Sequence, residues 1–199
     1  STMAFVFFVL LNSFGFAQNL HEPSKLPVPG TEDDGVLKVL AIGNSFSQDA
    51  VEQYLHELAA AEGVDMVIGN LYIGGASLEK HWKNAQENAA VYDYRKITRD
   101  GNKTNRPDTS IETGVLDENW DYISFQQVSG NSGQYETFLI PLPALAAYVQ
   151  DLSTNPQARY ILHQTWAYDE TSPHSNFKNY GKDQKIMYNA IVKTYGRVQ

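Results

Sequence analysis

The sequence predicts an α/β protein layered around a parallel sheet. Three observations carry this. Strand-like and helix-like segments alternate along the chain, the pattern of a parallel sheet with helical crossovers. The first such segment, 37–42 (LKVLAI), is almost wholly apolar, as suits a strand covered on both faces. The 199 residues, 42% hydrophobic and 19% charged, suffice for one real core and are too apolar for a disordered chain.

The elements follow in order. Residues 3–11 (MAFVFFVLL) form an apolar run too short to span a bilayer, followed by small residues near Ala17. This reads as a signal peptide over 1–17, and hence as a secreted or periplasmic protein with no stable membrane insertion after cleavage. Residues 18–35, carrying Pro23, Pro27 and Pro29, are a tether, and 36–199 the folded domain. After the strand at 37–42, Gly43-Asn44-Ser45 is a tight turn. Val51, Tyr54, Leu55, Leu58 and Ala59 recur at helical spacing and predict a helix over 49–62, stopped by Gly63. A second strand spans 65–73 and ends in Gly74-Gly75-Ala76-Ser77, where Ser77 caps a helix over 78–89.

Residues 91–109 predict an inserted β-hairpin around Asp100-Gly101. A short helix near 110–118 leads to a third strand at 121–127 and an SGNSG loop. Residues 135–152 are helical in spacing, with Pro141 and Pro143 delaying the start. A fourth strand covers 159–165, and a loop leads to a helix over 181–195 with Ile186, Met187, Ala190, Ile191 and Thr194 on one side.

Composition narrows function. Fifteen basic against 23 acidic residues give a net charge of −8, which disfavours nucleic acid and anionic membrane surfaces. With no cysteine, thiolate catalysis, disulfides and iron–sulfur clusters are excluded. In parallel sheets ligands bind beyond the carboxyl ends of the strands, which here carry Gly43-Asn44-Ser45, Gly74-Gly75, Gln126-Gln127 with Asn131, and His163 to Trp166. Three of the four are rich in glycine, hydroxyl and amide groups, which can activate a nucleophile and hold an oxyanion.

KVLAIGNSFS resembles the first block of the SGNH (GDSL-type) hydrolases, and within them a DUF4886-like branch in which Gly-Asn-Ser-Phe-Ser stands for Gly-Asp-Ser-Leu. The resemblance covers about 37–166. It implies a three-layer α/β/α sandwich with a flavodoxin-like parallel sheet. It also implies Ser45 as nucleophile and an oxyanion hole of the Ser45 N–H, the Gly75 N–H and a Gln127 amide. Gly74, Gln126 and Asn131 are the alternatives, because the family's Gly-x-Asn-Asp is missing from WDYISFQQVSGNSG. The family's base, an Asp-x-x-His after a fifth strand, has no match, so that strand and its His loop are expected beyond residue 199. Without them the last strand should leave an open apolar edge prone to self-association. His163 near the fourth strand's end and His174 in the loop after it could approach the site, or be a hydrogen-bonded strand histidine and an exposed loop residue, whereas His56 and His81 are expected on helix surfaces.

Trp166, Tyr168 and Trp82 are candidate substrate-binding aromatics, either stacking on sugar faces or packing helix against sheet. Arg95, Lys96, Arg99, Lys103 and Arg106 give the hairpin a basic character that suits solvent or an acidic glycan. The expected function is that of a secreted serine esterase acting on acyl esters, O-acetyl groups of carbohydrates above all. No metal or organic cofactor is implied. Two other readings stand beside it: a non-catalytic glycan-binding protein of the same fold, and a flavodoxin-like phosphate or nucleotide binder. The oligomeric state is not encoded in any motif.

Overall fold

The computed structural model describes residues 8–11 and 34–198. Its elements are β1 (Phe8–Leu11), β2 (Val36–Gly43), α1 (Ser45–Ser47), a π-helical turn (Gln48–Glu52), α2 (Leu55–Ala61), β3 (Asp65–Tyr72) and α3 (Leu78–Gln86). There follow β4 (Tyr92–Ile97), β5 (Lys103–Thr109), α4 (Ile111–Val115), β6 (Tyr122–Gln126), α5 (Pro141–Leu152), β7 (Arg159–His163) and α6 (Gln184–Tyr195). The strands form one sheet in the order β1-β7-β6-β2-β3-β4-β5.

Its centre, β3-β2-β6-β7, is parallel. Taken in chain order these four strands lie 2-1-3-4, the flavodoxin-like arrangement the family resemblance implies. The inserted hairpin extends the sheet antiparallel beyond β3. On the opposite side β1 pairs antiparallel with β7, Phe8 facing His163 and Leu11 facing Tyr160. The open edge expected there is thus covered, by part of the N-terminal apolar run. The remainder of the predicted signal peptide and most of the tether lie outside the described residues.

β2 shows why the sheet is buried on both faces. Leu40 and Ile42 join a large core with α3, α4, α5 and α6, whereas Val39 and Ala41 join a smaller one with Val51, Met66, Ile68 and Ile97. Among the described residues the second face is covered only by α1, the π-turn and α2. The helix expected over 49–62 is therefore two pieces. The π-turn adds a residue to the repeat, and the helical stripe runs out of register. Val51 is buried, but Tyr54 and Leu58 are 68% and 64% exposed. In α6, Met187, Ile191 and Thr194 face the core while Ile186 is exposed. Pro141 sits in the first turn of α5, where a missing N–H costs nothing. Among the described residues no helix is long and apolar enough to cross a membrane.

Candidate functional site

The carboxyl ends of β2, β3 and β6 meet at Asn44. Its backbone is extended, and its side-chain oxygen accepts from the Phe46 N–H at 3.2 Å, capping α1. Its Nδ2 donates to the Ala76 carbonyl at 2.9 Å and to the Gln127 carbonyl at 3.5 Å. One buried amide thus staples the loop after β2 to those after β3 and β6. Ser45, the next residue, is exposed. Among the described residues its Oγ and its N–H have no hydrogen-bond partner.

The turn is held from below by polar side chains on the α2-facing side of the sheet. Gln126 Oε1 accepts from the N–H groups of Asn44 and Ser47, both at 3.1 Å. Ser47 Oγ lies 2.7 Å from the Asn44 carbonyl and 3.0 Å from Asn70 Oδ1. Gln126 Nε2 in turn donates to His163 Nδ1 at 3.1 Å, so His163 carries its proton on Nε2. Burial pushes the His163 pKa down to about 4, and the ring is neutral.

On the β3 side, Ala76 N–H bonds the Ile73 carbonyl at 3.2 Å, closing a turn over 73–76. Gly75 is its third residue, with φ of +66°, where a side chain would be strained. Its N–H, like that of Gly74, has no partner among the described residues.

The candidate amides separate clearly. Gln127, the first choice for the third oxyanion donor, is buried, and its Nε2 is engaged by the Thr137 carbonyl and hydroxyl at 3.3 and 3.1 Å. Its oxygen caps the Leu78 and Val128 N–H groups at 3.1 and 2.9 Å. It is a structural brace, and the assignment of Gln127 is corrected on that ground. Gln126 is likewise spent on His163. Asn131, at the end of a short 3-10 turn after β6, is the only one of the three whose side chain is half-exposed and without a hydrogen bond among the described residues.

The aromatics also divide. Trp166 is 47% exposed, and its ring centroid lies 4.2 Å from that of Phe46, the residue after Ser45. Tyr168 bonds Ser129 Oγ at 2.5 Å and stacks on His174 at 4.5 Å. Both therefore flank the loops that carry the site. Trp82 instead packs on Tyr148 of α5, centroids 6.5 Å apart, and is a helix-packing residue.

No histidine is hydrogen-bonded to Ser45 Oγ among the described residues. His174 caps the 3-10 segment after β7, accepting from the Asn176 N–H at 3.3 Å. His56 contacts the Arg99 carbonyl. His81 is fully buried in α3, not on its surface. Its Nδ1 lies 2.8 Å from the Tyr92 hydroxyl, and burial pushes its pKa down to about 3. No cluster of metal-ligating side chains occurs among the described residues.

Residues 38–199 match the family described as a domain of unknown function (DUF4886). A crystal structure of a DUF4886 family protein from Bacteroides uniformis is 50% identical, with a TM-score of 0.79; the match covers 81% of this chain and 62% of that one. The chain thus spans less than two thirds of the length of that relative. A protein from Slackia heliotrinireducens, described as a "putative SGNH hydrolase", shares the fold at 18% identity and a TM-score of 0.52, over 81% of this chain and 73% of that one. No curated protein matches the chain significantly.

Proposed function

Because the chain belongs to the DUF4886 family and has the SGNH-type fold, we propose that it is a serine hydrolase of acyl esters, with Ser45 as nucleophile. The observation that carries this reading is the pairing of an exposed, unbonded Ser45 hydroxyl with a rigid, buried support beneath it. A hydroxyl that served only as a helix cap would be bonded to the helix. Here Asn44 performs the capping and leaves Ser45 unspent.

In the proposed reaction Ser45 Oγ loses its proton to a general base and attacks the ester carbonyl, and the developing oxyanion is received by the N–H groups of Ser45 and Gly75. Neither group must break an internal bond to do so. Asn131 replaces Gln127 as the third donor. One such donor is typically worth about 3–4 kcal/mol of barrier. The intermediate expels the alcohol, which takes the proton back from the base, to leave acyl-Ser45, and water then attacks the acyl group to release the acid and free Ser45. A general base must take the Ser45 proton; among the described residues no histidine is bonded to Ser45 Oγ. Phe46, Trp166 and Tyr168 form an aromatic flank for the substrate. O-acetylated carbohydrate as substrate remains part of the proposal, resting on this flank; export rests on the sequence reading of residues 1–17 alone, and the pairing of Phe8–Leu11 with β7 counts against cleavage there.

The test is p-nitrophenyl acetate hydrolysis by the native-length protein, with mass-spectrometric search for acylated Ser45. Ser45→Ala should abolish both signals, and Asn131→Ala should lower kcat about 10²-fold or more. Undiminished turnover in Ser45→Ala rejects the nucleophile. Oligosaccharide binding without turnover would favour a non-catalytic glycan binder.

A further inference from the structure

A cavity of about 570 Å³ opens between the π-turn and the β4–β5 hairpin, a volume in the range of small-ligand sites. Gln48, three residues after Ser45 in sequence, is among the residues that line it. One wall is tied to the Ser45 turn. Arg95 lies over the Tyr72 ring at 3.9 Å and bonds both Glu52 oxygens at 3.3 Å. Glu52 accepts from Asn70 Nδ2 at 2.5 Å, and Asn70 accepts from Ser47 Oγ at 3.0 Å. The rim is different in kind. Tyr54, 68% exposed, lines the cavity, as do Gln48 and Asn105.

The basic residues of the hairpin do not make this an anion site. Arg95 pairs with Glu52 and Asp93, Lys96 with Asp117 and Glu118, and Lys103 with Glu57. An anionic ligand would have to displace these carboxylates. What is left to offer is an aromatic face for C–H groups, amides, and a fixed carboxylate–guanidinium pair that can both accept from and donate to neighbouring hydroxyls.

We propose that this cavity is a subsite for a neutral, polyhydroxylated ligand: a sugar unit of the carbohydrate whose ester reaches Ser45. The proposal rests on the ester-hydrolase reading of Ser45 and deepens it by placing the carbohydrate on the hairpin side of the nucleophile.

Isothermal titration of the Ser45→Ala chain tests it, because no hydrolysis then consumes the probe. The probes are cellohexaose, xylohexaose and mannohexaose, with a hexamer of galacturonic acid as the anionic counterpart. At least one neutral hexamer should bind, and Tyr54→Ala should weaken it about tenfold. Asn105→Ala gives a second, independent variant, and both side chains are exposed enough for circular dichroism to confirm an intact fold. Failure of all three neutral hexamers to bind, binding indifferent to both substitutions, or tighter binding of the uronic acid hexamer would each overturn the proposal. The Ser45 reading fails by a different signal, aryl-acetate hydrolysis that survives Ser45→Ala. Tyr54-dependent sugar binding would still be seen in that case.

Discussion

Asn44 cannot be exchanged for the aspartate of a Gly-Asp-Ser turn. Its Nδ2 faces two carbonyl oxygens, those of Ala76 and Gln127, at a position 1% exposed. A carboxylate of the same shape would set acceptor against acceptor with no water to intervene. Asn44→Asp should cost about 2–4 kcal/mol in urea unfolding, while the same change at an exposed cap would be nearly neutral. Gly43 is constrained by space instead. A Cβ there would stand 2.7 Å from Gln126 Oε1 and 2.7 Å from Ser47 Oγ, the two side chains that hold the turn. Gly43→Ala should therefore destabilise by about 1–3 kcal/mol and lower any Ser45-dependent turnover; unchanged stability would show that the turn is softer than its hydrogen bonds suggest. At this scale the Gly-Asn-Ser turn was legible because its signal is local. The work of Asn44 was not, since its partners lie 32 and 83 residues away. A clue to the support beneath the turn was available: Asn70 interrupts an apolar strand, and a buried polar residue there must find a partner, here Ser47 and Glu52.

Among the elements, those defined by neighbours in sequence were the readable ones. Ser77 caps α3, accepting from the Lys80 N–H at 3.2 Å, as its type and position predict. Ser77→Ala should cost about 1 kcal/mol in thermal unfolding, and Ser77→Asp should restore it. The hairpin followed from Asp100-Gly101, where Gly101 adopts φ of +82°. The helix over 49–62 misled because its apolar spacing cannot reveal an inserted residue. The π-turn displaces Tyr54 from the core to the cavity rim, the position from which the sugar subsite was inferred. Gln127 misled for the opposite reason: an amide at a strand end looks available until the fold gives it Thr137.

For the whole molecule, the two buried histidines set the response to acid. Both are held neutral by burial, with pKa values pushed from 6.5 down to about 3 for His81 and about 4 for His163. Unfolding releases them to ordinary values, so the unfolded chain binds more protons and stability falls as pH falls below about 6.5. Between pH 6.5 and 5 the loss should approach about 1.4 kcal/mol per pH unit for each histidine; a flat profile of urea midpoints over this interval would contradict it. The layered α/β class was legible, because alternation and strand ends are sequence properties; the strand order came only with the family resemblance. The closure of the β7 edge by β1 was not, since pairing of Phe8–Leu11 with β7 spans most of the chain. The helical cover is uneven: four helices bury one side of the sheet, and α2, on the other, has no buried residue. Amide protons of α2 should accordingly exchange with deuterium long before those of α5, by a local opening that leaves the major core shut. The Ser45 turn and the cavity thus share the side of the molecule that loosens first, so a ligand bridging them would show itself as slowed exchange in α2.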